Sequence, residues 1–439
     1  MLQKDKNIKT TKDIRRLIQR RMEMWQQNKY DLLLHEAEIC DKKLPRSCSN
    51  MSEEQAIKIF SRLMLEGKIR EATRFLTERE ESGGIMSPGD DAGKPKGKTV
   101  MEVLLSKHPE QANPDEEAFI ECEELPEFLH VEVTSSHIQR VAQKLAGGAG
   151  PSGLTSSTLQ DMLLKFDNHS ENLRESYAAL SRRLANNIVP WEDIRALKAK
   201  RLVALNKCLG VRPIGIGEVT DRFLSKIMAH VTGDDVQNVC GIDQLCSGIK
   251  GGIEGAIHGI TQLFDAHSAD GWGLLLMDAV NGFNSISRSA ALWNTRVLWT
   301  RCSKFLFNSY QGFALLIVRD ASCYVLSKEG VTQGDPLGMM FYGVGLLPLA
   351  RKLRSDSNYI LKLKEDSTLN KDSKWTQNWY ADDSACVAEL KSILEWLNLL
   401  LKEGPKYGYI PEPDKSYLVV HPSMVEAAKK MFTHLKLMW

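Results

Sequence analysis

The sequence predicts an α+β fold in which a mainly helical N-terminal region precedes a longer region of mixed strands and helices. Residues 1–81 carry Leu, Ile, Met and Ala at helical spacing among many charged side chains. Two short apolar runs around a polar turn, at residues 202–205 and 211–214, are typical of a β-hairpin. A second hairpin is indicated by the β-prone residues 379–387, which have two adjacent aspartates at their centre.

The composition is that of an ordinary globular protein. Of its 439 residues, 43% are hydrophobic and 26% are charged, and the formal net charge is +1. A nearly neutral chain gives no general sign of nucleic-acid binding, so any basic surface has to be local. The nine cysteines lack the spacing of zinc ligands, which predicts free thiols. A charged N-terminus and the absence of a long apolar run predict an intracellular protein, in the cytoplasm or the nucleus, without membrane contact.

Residues 82–135 are predicted to connect the helical region to the rest of the chain. Gly, Pro, Asp and Lys dominate residues 82–98, a composition typical of an exposed linker. Between Pro109 and Glu132 there are nine acidic residues and no Lys or Arg. We therefore interpret residues 82–135 as a linker followed by an acidic segment that stays away from phosphate groups, and we assign it no function.

A basic stretch coincides with the first predicted hairpin. It contains no acid and six basic residues, namely Arg195, Lys198, Lys200, Arg201, Lys207 and Arg212. Basic side chains beside an acidic metal site suit a triphosphate substrate, because Arg and Lys bind phosphate oxygens through charged hydrogen bonds. A solvent-exposed basic ribbon is equally compatible with this composition.

Carboxylates recur at the ends of predicted strands. Residues 271–278 are interpreted as a fully buried strand that ends on Asp278, a common position for a functional acid. Asp382 and Asp383 lie at the tip of the second hairpin, in an apolar run without Lys or Arg. Buried carboxylates need a positive partner, and a divalent ion that prefers oxygen ligands, such as Mg²⁺, meets that need. A solvated Asp-Asp turn is the simpler alternative when the motif is taken alone.

A helix is predicted to follow the loop at residues 329–334. Asp335 is a good N-cap residue, and Pro336 suits the first helical position. The helix is therefore expected to begin here and to continue to about Lys352.

The order of these motifs resembles the palm of reverse transcriptases, especially those of non-LTR retroelements and group II introns. The motifs are Asp278 with Phe283 five residues later, then Gln333-Gly334-Asp335-Pro336-Leu337 at the start of a helix, then Tyr380-Ala381-Asp382-Asp383. The resemblance covers roughly residues 140–422 and includes Gly150-Pro151-Ser152-Gly153-Leu154, Arg212-Pro213-Ile214, Gly408 and Lys415.

The resemblance implies a right-hand polymerase architecture. Residues 136–277 would form the fingers with part of the palm, and residues 278–422 the palm, with an antiparallel sheet backed by helices. Residues 423–439 would be a truncated C-terminal segment, because only nineteen residues follow Val420 and the helical thumb is expected to be missing. The resemblance leaves the oligomeric state open.

The implied activity is template-directed nucleotidyl transfer, namely RNA-directed DNA synthesis by a retrotransposon-derived enzyme. Its partners would be an RNA template, a DNA primer and deoxynucleoside triphosphates. Two Mg²⁺ ions, or Mn²⁺ in their place, would be bridged by Asp278 and Asp382, with Asp383 close by and the backbone carbonyl of Ala279 as a further ligand.

The resemblance also implies substrate contacts. Lys207 and Arg212 would bind the triphosphate, Gln333 and Gly334 would line the floor of the nascent base pair, and Lys415 would protonate the leaving pyrophosphate. Phe283 is expected either to exclude a ribose 2′-hydroxyl or to anchor its loop to the core.

Two alternatives remain open at this point. An RNA-dependent RNA polymerase would share the paired acids, but that family usually has Gly before them and an Asp near the position of Phe283, where this chain has Ala381 and Phe283. A catalytically silent, reverse-transcriptase-like protein that binds RNA or serves as a scaffold is the other alternative.

Overall fold

The structure, a computed structural model, describes residues 10–42, 52–77, 84–207, 210–318, 323–355, 375–433 and 436–438. The chain divides into two compact units, Met1–Glu80 and Glu81–Trp439. Across the described residues, no helix is long and apolar enough to cross a membrane.

The described part of the smaller unit contains four helices: α1 (Thr11–Gln26), α2 (Tyr30–Lys42), α3 (Glu53–Leu65) and α4 (Ile69–Thr77). The Thr10 side chain caps α1, and Ser52 forms a capping box with Gln55 at the start of α3, so both helices begin where their first free N–H groups are satisfied. Arg21 of α1 bonds to Glu36 of α2 at 3.0 Å. The helical N-terminal region predicted from the sequence is therefore confirmed.

The larger unit combines helices with two sheets. Its helices are α5 (Val100–Ser106), α6 (Ser135–Gln143), α7 (Ser156–Leu164), α8 (Asp167–Asn186), α9 (Trp191–Lys198), α10 (Val219–Cys240), α11 (Gly252–His267), α12 (Gly282–Ser285), α13 (Arg288–Leu298), α14 (Thr300–Tyr310), α15 (Gly338–Ser355), α16 (Leu390–Glu403) and α17 (Val425–Met431). Its strands are β1 (Ile85–Met86), β2 (Lys200–Asn206), β3 (Val211–Gly217), β4 (Trp272–Met277), β5 (Ala314–Val318), β6 (Tyr324–Ser327), β7 (Trp375–Tyr380), β8 (Asp383–Glu389), β9 (Tyr417–Val420) and β10 (Lys436–Met438).

The first sheet has the order β1-β2-β5-β6, and β3 pairs with the remaining edge of β2. The β2–β3 hairpin is antiparallel, as the sequence predicts, whereas β5 runs parallel to β2. Residues 208 and 209 in the β2–β3 turn, and residues 319–322 between β5 and β6, lie outside the described residues.

Residues 82–98 were predicted to be an exposed linker, but part of this segment pairs with the first sheet. β1 pairs antiparallel with β2, and Val100 and Leu104 of α5 are buried in a small core beneath the first sheet. Farther along, the Ile120 backbone N–H donates to Asn294 of α13 at 2.9 Å. The composition of residues 82–98 signalled turns correctly, but it did not reveal that the apolar residues beside them complete a core.

The second sheet has the order β10-β9-β4-β8-β7. Its central strand β4 is antiparallel to both β8 and β9, whereas β10 runs parallel to β9. Burial along β4 alternates, with Leu275 fully buried and Leu276 39% exposed. The prediction that this strand is fully buried is therefore wrong. Helix α16 packs on the face of Gly273, where Leu390 and Ile393 approach the backbone. The α+β fold, with a largely antiparallel sheet backed by helices, is thus confirmed.

Helix α15 begins two residues later than predicted, at Gly338 instead of Pro336. Asp335 does act near its start, since its side chain accepts a hydrogen bond from the Leu337 N–H at 3.0 Å. Residues 336–337 form a turn, and regular helical structure begins at Gly338 and continues to Ser355. The Tyr310 hydroxyl also donates to Asp335 at 2.7 Å, so this carboxylate serves packing as well as capping.

Candidate active site

The three predicted acids border a single cavity of about 350 Å³. Asp278 directly follows β4, Asp382 lies in the β7–β8 turn, and Asp383 begins β8. Because β4 pairs with β8 so that Met277 faces Ser384, the end of β4 is held beside this turn. Sheet pairing thus brings together residues that are more than a hundred positions apart.

The turn is a two-residue hairpin connection. Tyr380 pairs with Asp383, which leaves Ala381 and Asp382 as the connecting residues. Ala381 has a φ of 55°, in the left-handed region that such tight hairpin turns require. The predicted hairpin with the acids at its tip is therefore the one that the chain forms.

Burial and mutual repulsion govern the charge of these acids. Burial, followed by the charges of Asp383 and Asp278, raises the pKa of Asp382 to about 6, against a lowering effect of Lys207. Burial and Asp278 also raise the pKa of Asp383, whereas Lys207 and Arg212 lower it. The cavity therefore concentrates negative charge that a cation would stabilise.

A metal cluster is not preformed at these acids. Within the described ranges, no three His, Cys, Asp or Glu side chains stand close enough together to hold a metal ion. One oxygen of Asp278 instead accepts the N–H of Ala279 at 2.9 Å. The donor chemistry still suits Mg²⁺, because three carboxylates and the carbonyl of Ala279 border one cavity and supply hard oxygen ligands.

Close backbone approach holds the loop after β4 against the turn. A Cβ atom at Gly282 would lie 2.8 Å from the Cβ of Asp382, so only glycine allows this approach. On the other side, the Glu412 N–H donates to the carbonyl of Asp278 and the Val280 N–H to that of Ile410, both at 2.8 Å.

A buried glutamine that the sequence did not single out clamps the turn. The Gln244 side chain accepts the Ala381 N–H at 2.8 Å and donates to the Ala381 carbonyl at 3.2 Å. Gln244 is fully buried, and the next backbone N–H, of Leu245, donates to Trp379 at 2.9 Å. No local pattern marks Gln244, because its partner lies 137 residues away in the chain.

Replacing Gln244 by the similarly sized Met should loosen the turn. Both bonds to Ala381 are lost and its buried N–H and carbonyl are left unpaired, which costs roughly 1–3 kcal/mol for each unpaired group. We expect faster amide hydrogen exchange at residues 379–383, measured by mass spectrometry. The exposed Gln237→Met is the matched control on α10. Unchanged exchange in Gln244→Met would show that the sheet alone holds the turn.

Phe283 borders the cavity and is also anchored to the core. Its ring stacks on Tyr342 at a centroid distance of 4.7 Å and an interplanar angle of 24°. Its carbonyl accepts the Val331 N–H at 2.6 Å. The Tyr342 hydroxyl is buried and has no hydrogen-bond partner among the described residues. The structure thus gives Phe283 features of both expected roles.

The basic stretch is divided between the cavity and the core. Lys207 and Arg212 are exposed residues that line the cavity, and neither forms an ion pair with any residue that the structure describes. Lys198 and Lys200 are instead buried, with Lys198 2.6 Å from Asp221. The Lys200 ammonium group lies 3.9 Å from the Asp221 carboxylate. It also lies 3.8 Å from the carboxylate of Asp335, which stands at the start of α15. The basic hairpin expected from composition is therefore only partly a basic surface.

The remaining predicted residues differ in position. Gln333 lines the cavity, and its carbonyl accepts the Gly215 N–H at 2.8 Å. Gly334 is not among the residues lining this cavity; a Cβ there would lie 2.7 Å from the Gly215 carbonyl, so its small size allows two backbones to meet. Lys415 lines the cavity but bonds to Glu412 at 3.1 Å.

Lys107 is a further cation in the cavity, and the sequence did not single it out. It lies in residues 82–135, to which we assigned no function, so neither motif nor resemblance pointed to it. Burial and the nearby charges of Lys207, Lys415 and Arg212 lower its pKa, whereas Asp278 raises it.

Comparison with known proteins gives one sequence relative. No family model matches the chain. The retrotransposable element SLACS 132 kDa protein of Trypanosoma brucei gambiense is 28% identical over 226 residues, which cover 49% of this chain and 18% of that protein. The chain thus spans less than a fifth of the curated relative that it matches.

The chain is also similar, at low sequence identity, to solved structures of telomerases. The apo telomerase of Candida tropicalis has a TM-score of 0.38 at 11% identity, over 64% of this chain and 54% of that one. The telomerase of Candida albicans in complex with a fragment of telomeric RNA also scores 0.38 at 11% identity, over 57% and 46% of the two chains.

The motif order and the match to a retrotransposable-element protein together support a reverse-transcriptase-like domain in this chain. The finer division into fingers and palm stays a prediction.

Proposed function

We propose that this chain catalyses template-directed nucleotidyl transfer, in the form of RNA-directed DNA synthesis. The observation that carries the proposal is the shared cavity in which Asp278, Asp382 and Asp383 meet Lys207 and Arg212. The acids suit divalent ions, and the two cations beside them have no ion-pair partner in the described chain. A metal-bound triphosphate needs this arrangement of acids and cations.

The acidic side of the cavity is assigned to metal binding. Asp278 and Asp382 would hold two Mg²⁺ ions, or Mn²⁺, with Asp383 and the carbonyl of Ala279 beside them. When bound, the ions would supply Lewis-acid activation of a primer 3′-hydroxyl and neutralise charge on the leaving pyrophosphate. The chain itself fixes the positions of these acids through β4, the β7–β8 turn and the clamp of Gln244.

The basic side is assigned to the nucleotide. Lys207 and Arg212 bind the triphosphate, and Gln333 borders the base of the incoming nucleotide. Gly334 acts through the close approach of its loop to β3. Lys415 donates a proton to the pyrophosphate once its bond to Glu412 has been exchanged for one to phosphate.

The nucleic-acid partners are proposed from the relative and the motifs. A retrotransposable-element protein as relative supports an RNA template and a DNA primer for this chain. Phe283 at the cavity wall supports deoxynucleoside triphosphates as substrates, since a phenyl ring cannot hydrogen-bond a ribose 2′-hydroxyl.

Primer extension tests the proposal directly. The full chain is incubated with poly(rA)/oligo(dT), dTTP and either Mg²⁺ or Mn²⁺, with EDTA as the negative control. We expect extended DNA products that disappear with EDTA. RNA binding without extension would favour the scaffold alternative, and preferential use of ribonucleotides would favour an RNA polymerase.

Arg212→Ala should act on nucleotide binding rather than on template binding. Loss of charged hydrogen bonds worth roughly 1.5–3 kcal/mol predicts an increase in nucleotide KM of about 10–100-fold. Arg212→Lys should restore only part of this loss, because Lys lacks the bidentate fork. The control is Arg195→Ala, since Arg195 is exposed and pairs with Glu192 on its own helix. A fall in template affinity at unchanged KM would instead identify a nucleic-acid contact.

A further inference from the structure

The segment that precedes the polymerase motifs contributes directly to the cavity. Helix α5 packs into the small core through Val103 and Leu104, and Lys107 follows at its C-terminal end. Lys107 is half-buried and lines the same cavity as Asp278 and Asp382. A residue 171 positions before Asp278 in the chain is thus part of the same wall.

Backbone contacts fix this position. The Asn281 side chain donates to the Lys107 carbonyl at 2.9 Å, and Asn281 in turn accepts from the Asn284 side chain at 3.2 Å. Asn281 adopts a left-handed φ of 54° in the loop after Asp278, so its conformation is set by this loop. The Lys107 backbone is therefore tied to the loop that carries the first catalytic acid.

Lys107 forms no direct ion pair with the residues that the structure describes. Its ammonium group has no carboxylate partner within the described ranges, and its strongest charged neighbours are Lys207, Lys415 and Arg212. Like charges gathered in a half-buried wall are unfavourable unless an anion offsets them. The Asp278 carboxylate is the acid that acts on Lys107, but it is also the one assigned to metal binding.

We propose that Lys107 binds the phosphate tail of the incoming nucleoside triphosphate together with Lys207 and Arg212. This inference rests on the proposed function, because it assigns the cavity to a nucleotide. The triphosphate is then held by side chains of the β2–β3 hairpin and by the residue at the end of α5, which packs beside that hairpin. A template phosphate is the competing anion, and the experiment below distinguishes the two.

The test measures binding of two probes, dTTP and inorganic triphosphate, to the full chain without template, by isothermal titration calorimetry in Mg²⁺. A parallel titration measures binding of single-stranded RNA. We expect Lys107→Gln to raise the Kd for both probes about tenfold, as loss of a charged hydrogen bond predicts. Lys107→Arg should bring the Kd back to within about threefold of the original protein. Lys96→Gln, an exposed change before α5, is the matched control.

Two results would overturn the inference. An unchanged Kd for both probes in Lys107→Gln would show that this side chain does not bind the triphosphate. A higher Kd for single-stranded RNA, at an unchanged Kd for triphosphate, would show that Lys107 binds a nucleic-acid strand instead. Because the probes need no template, triphosphate binding through Lys107 in a chain that fails to extend a primer would refute the proposed function and leave this inference standing.

Discussion

Asp382→Asn is expected to lower the rate of primer extension by about 1,000-fold or more. Loss of one preorganised electrostatic contact in an active site reduces kcat by about 100–1,000-fold, and a carboxylate proposed to bridge two ions contributes to both. Single-turnover extension measures the effect. Asp265→Asn, an exposed change on α11, is the control and should extend at the original rate. Activity within a few-fold of the original would show that Asp382 is not a metal ligand.

The same variant should be more stable without metal, and the difference should depend on pH. Since the pKa of Asp382 is raised to about 6 in the folded chain, protonation is favoured by folding. The stability from this group is present below about pH 4 and is lost as the pH rises through 6. In EDTA we therefore expect the free energy of unfolding of Asp382→Asn, relative to that of the original chain, to increase between pH 4 and 7 by on the order of 2 kcal/mol. A difference that stays constant with pH would contradict this.

Phe283→Val is expected to increase ribonucleotide use about 100-fold relative to deoxynucleotide use. Phe283 borders the cavity. A smaller side chain there is expected to open space for a 2′-hydroxyl that would otherwise be excluded and unpaired, at a cost of a few kcal/mol. The ratio of kcat/KM for UTP and dTTP measures the change. Deoxynucleotide incorporation should fall only modestly.

Tyr342→Phe provides the control for this experiment. It keeps the ring on which Phe283 stacks and removes only a hydroxyl that lacks a partner in the described chain, so sugar discrimination should not change. If Phe283→Val lowers both activities together with thermal stability, then Phe283 only anchors the loop. An original protein that uses UTP as readily as dTTP would exclude a steric gate.

Local pattern was sufficient for much of this fold. The hairpins β2–β3 and β7–β8 and the N-terminal helices followed from apolar periodicity and turn residues, because these features depend on neighbours in the chain. Asp278 and the Asp382–Asp383 pair were recognised from motif order, and sheet pairing places them around one cavity.

Long-range contacts were beyond the reach of the sequence. Gln244 acts on Ala381 through a distance of 137 residues in the chain, and a single glutamine gives no sign of its partner. Lys107 follows a strand of only two residues and a helix of seven, both too short to stand out among glycines and prolines. Charge counting likewise could not show that Lys198 and Lys200 turn inward, because composition does not specify which face of an element is buried.

The buried cluster of Lys198, Lys200, Asp221 and Asp335 limits how the β2–β3 hairpin can move. It joins the end of α9 and the base of β2 to α10, and the base of β2 to the start of α15. Removing one partner of a buried ion pair costs roughly 3–5 kcal/mol. The base of the hairpin is therefore held in place by these ion pairs. Because β1 pairs with Ala204 and Leu205 farther along β2, the part beyond residue 205 is the least restrained. Any closing motion that brings Lys207 and Arg212 onto a nucleotide is thus a flexing of the hairpin tip rather than a rotation of the whole sheet.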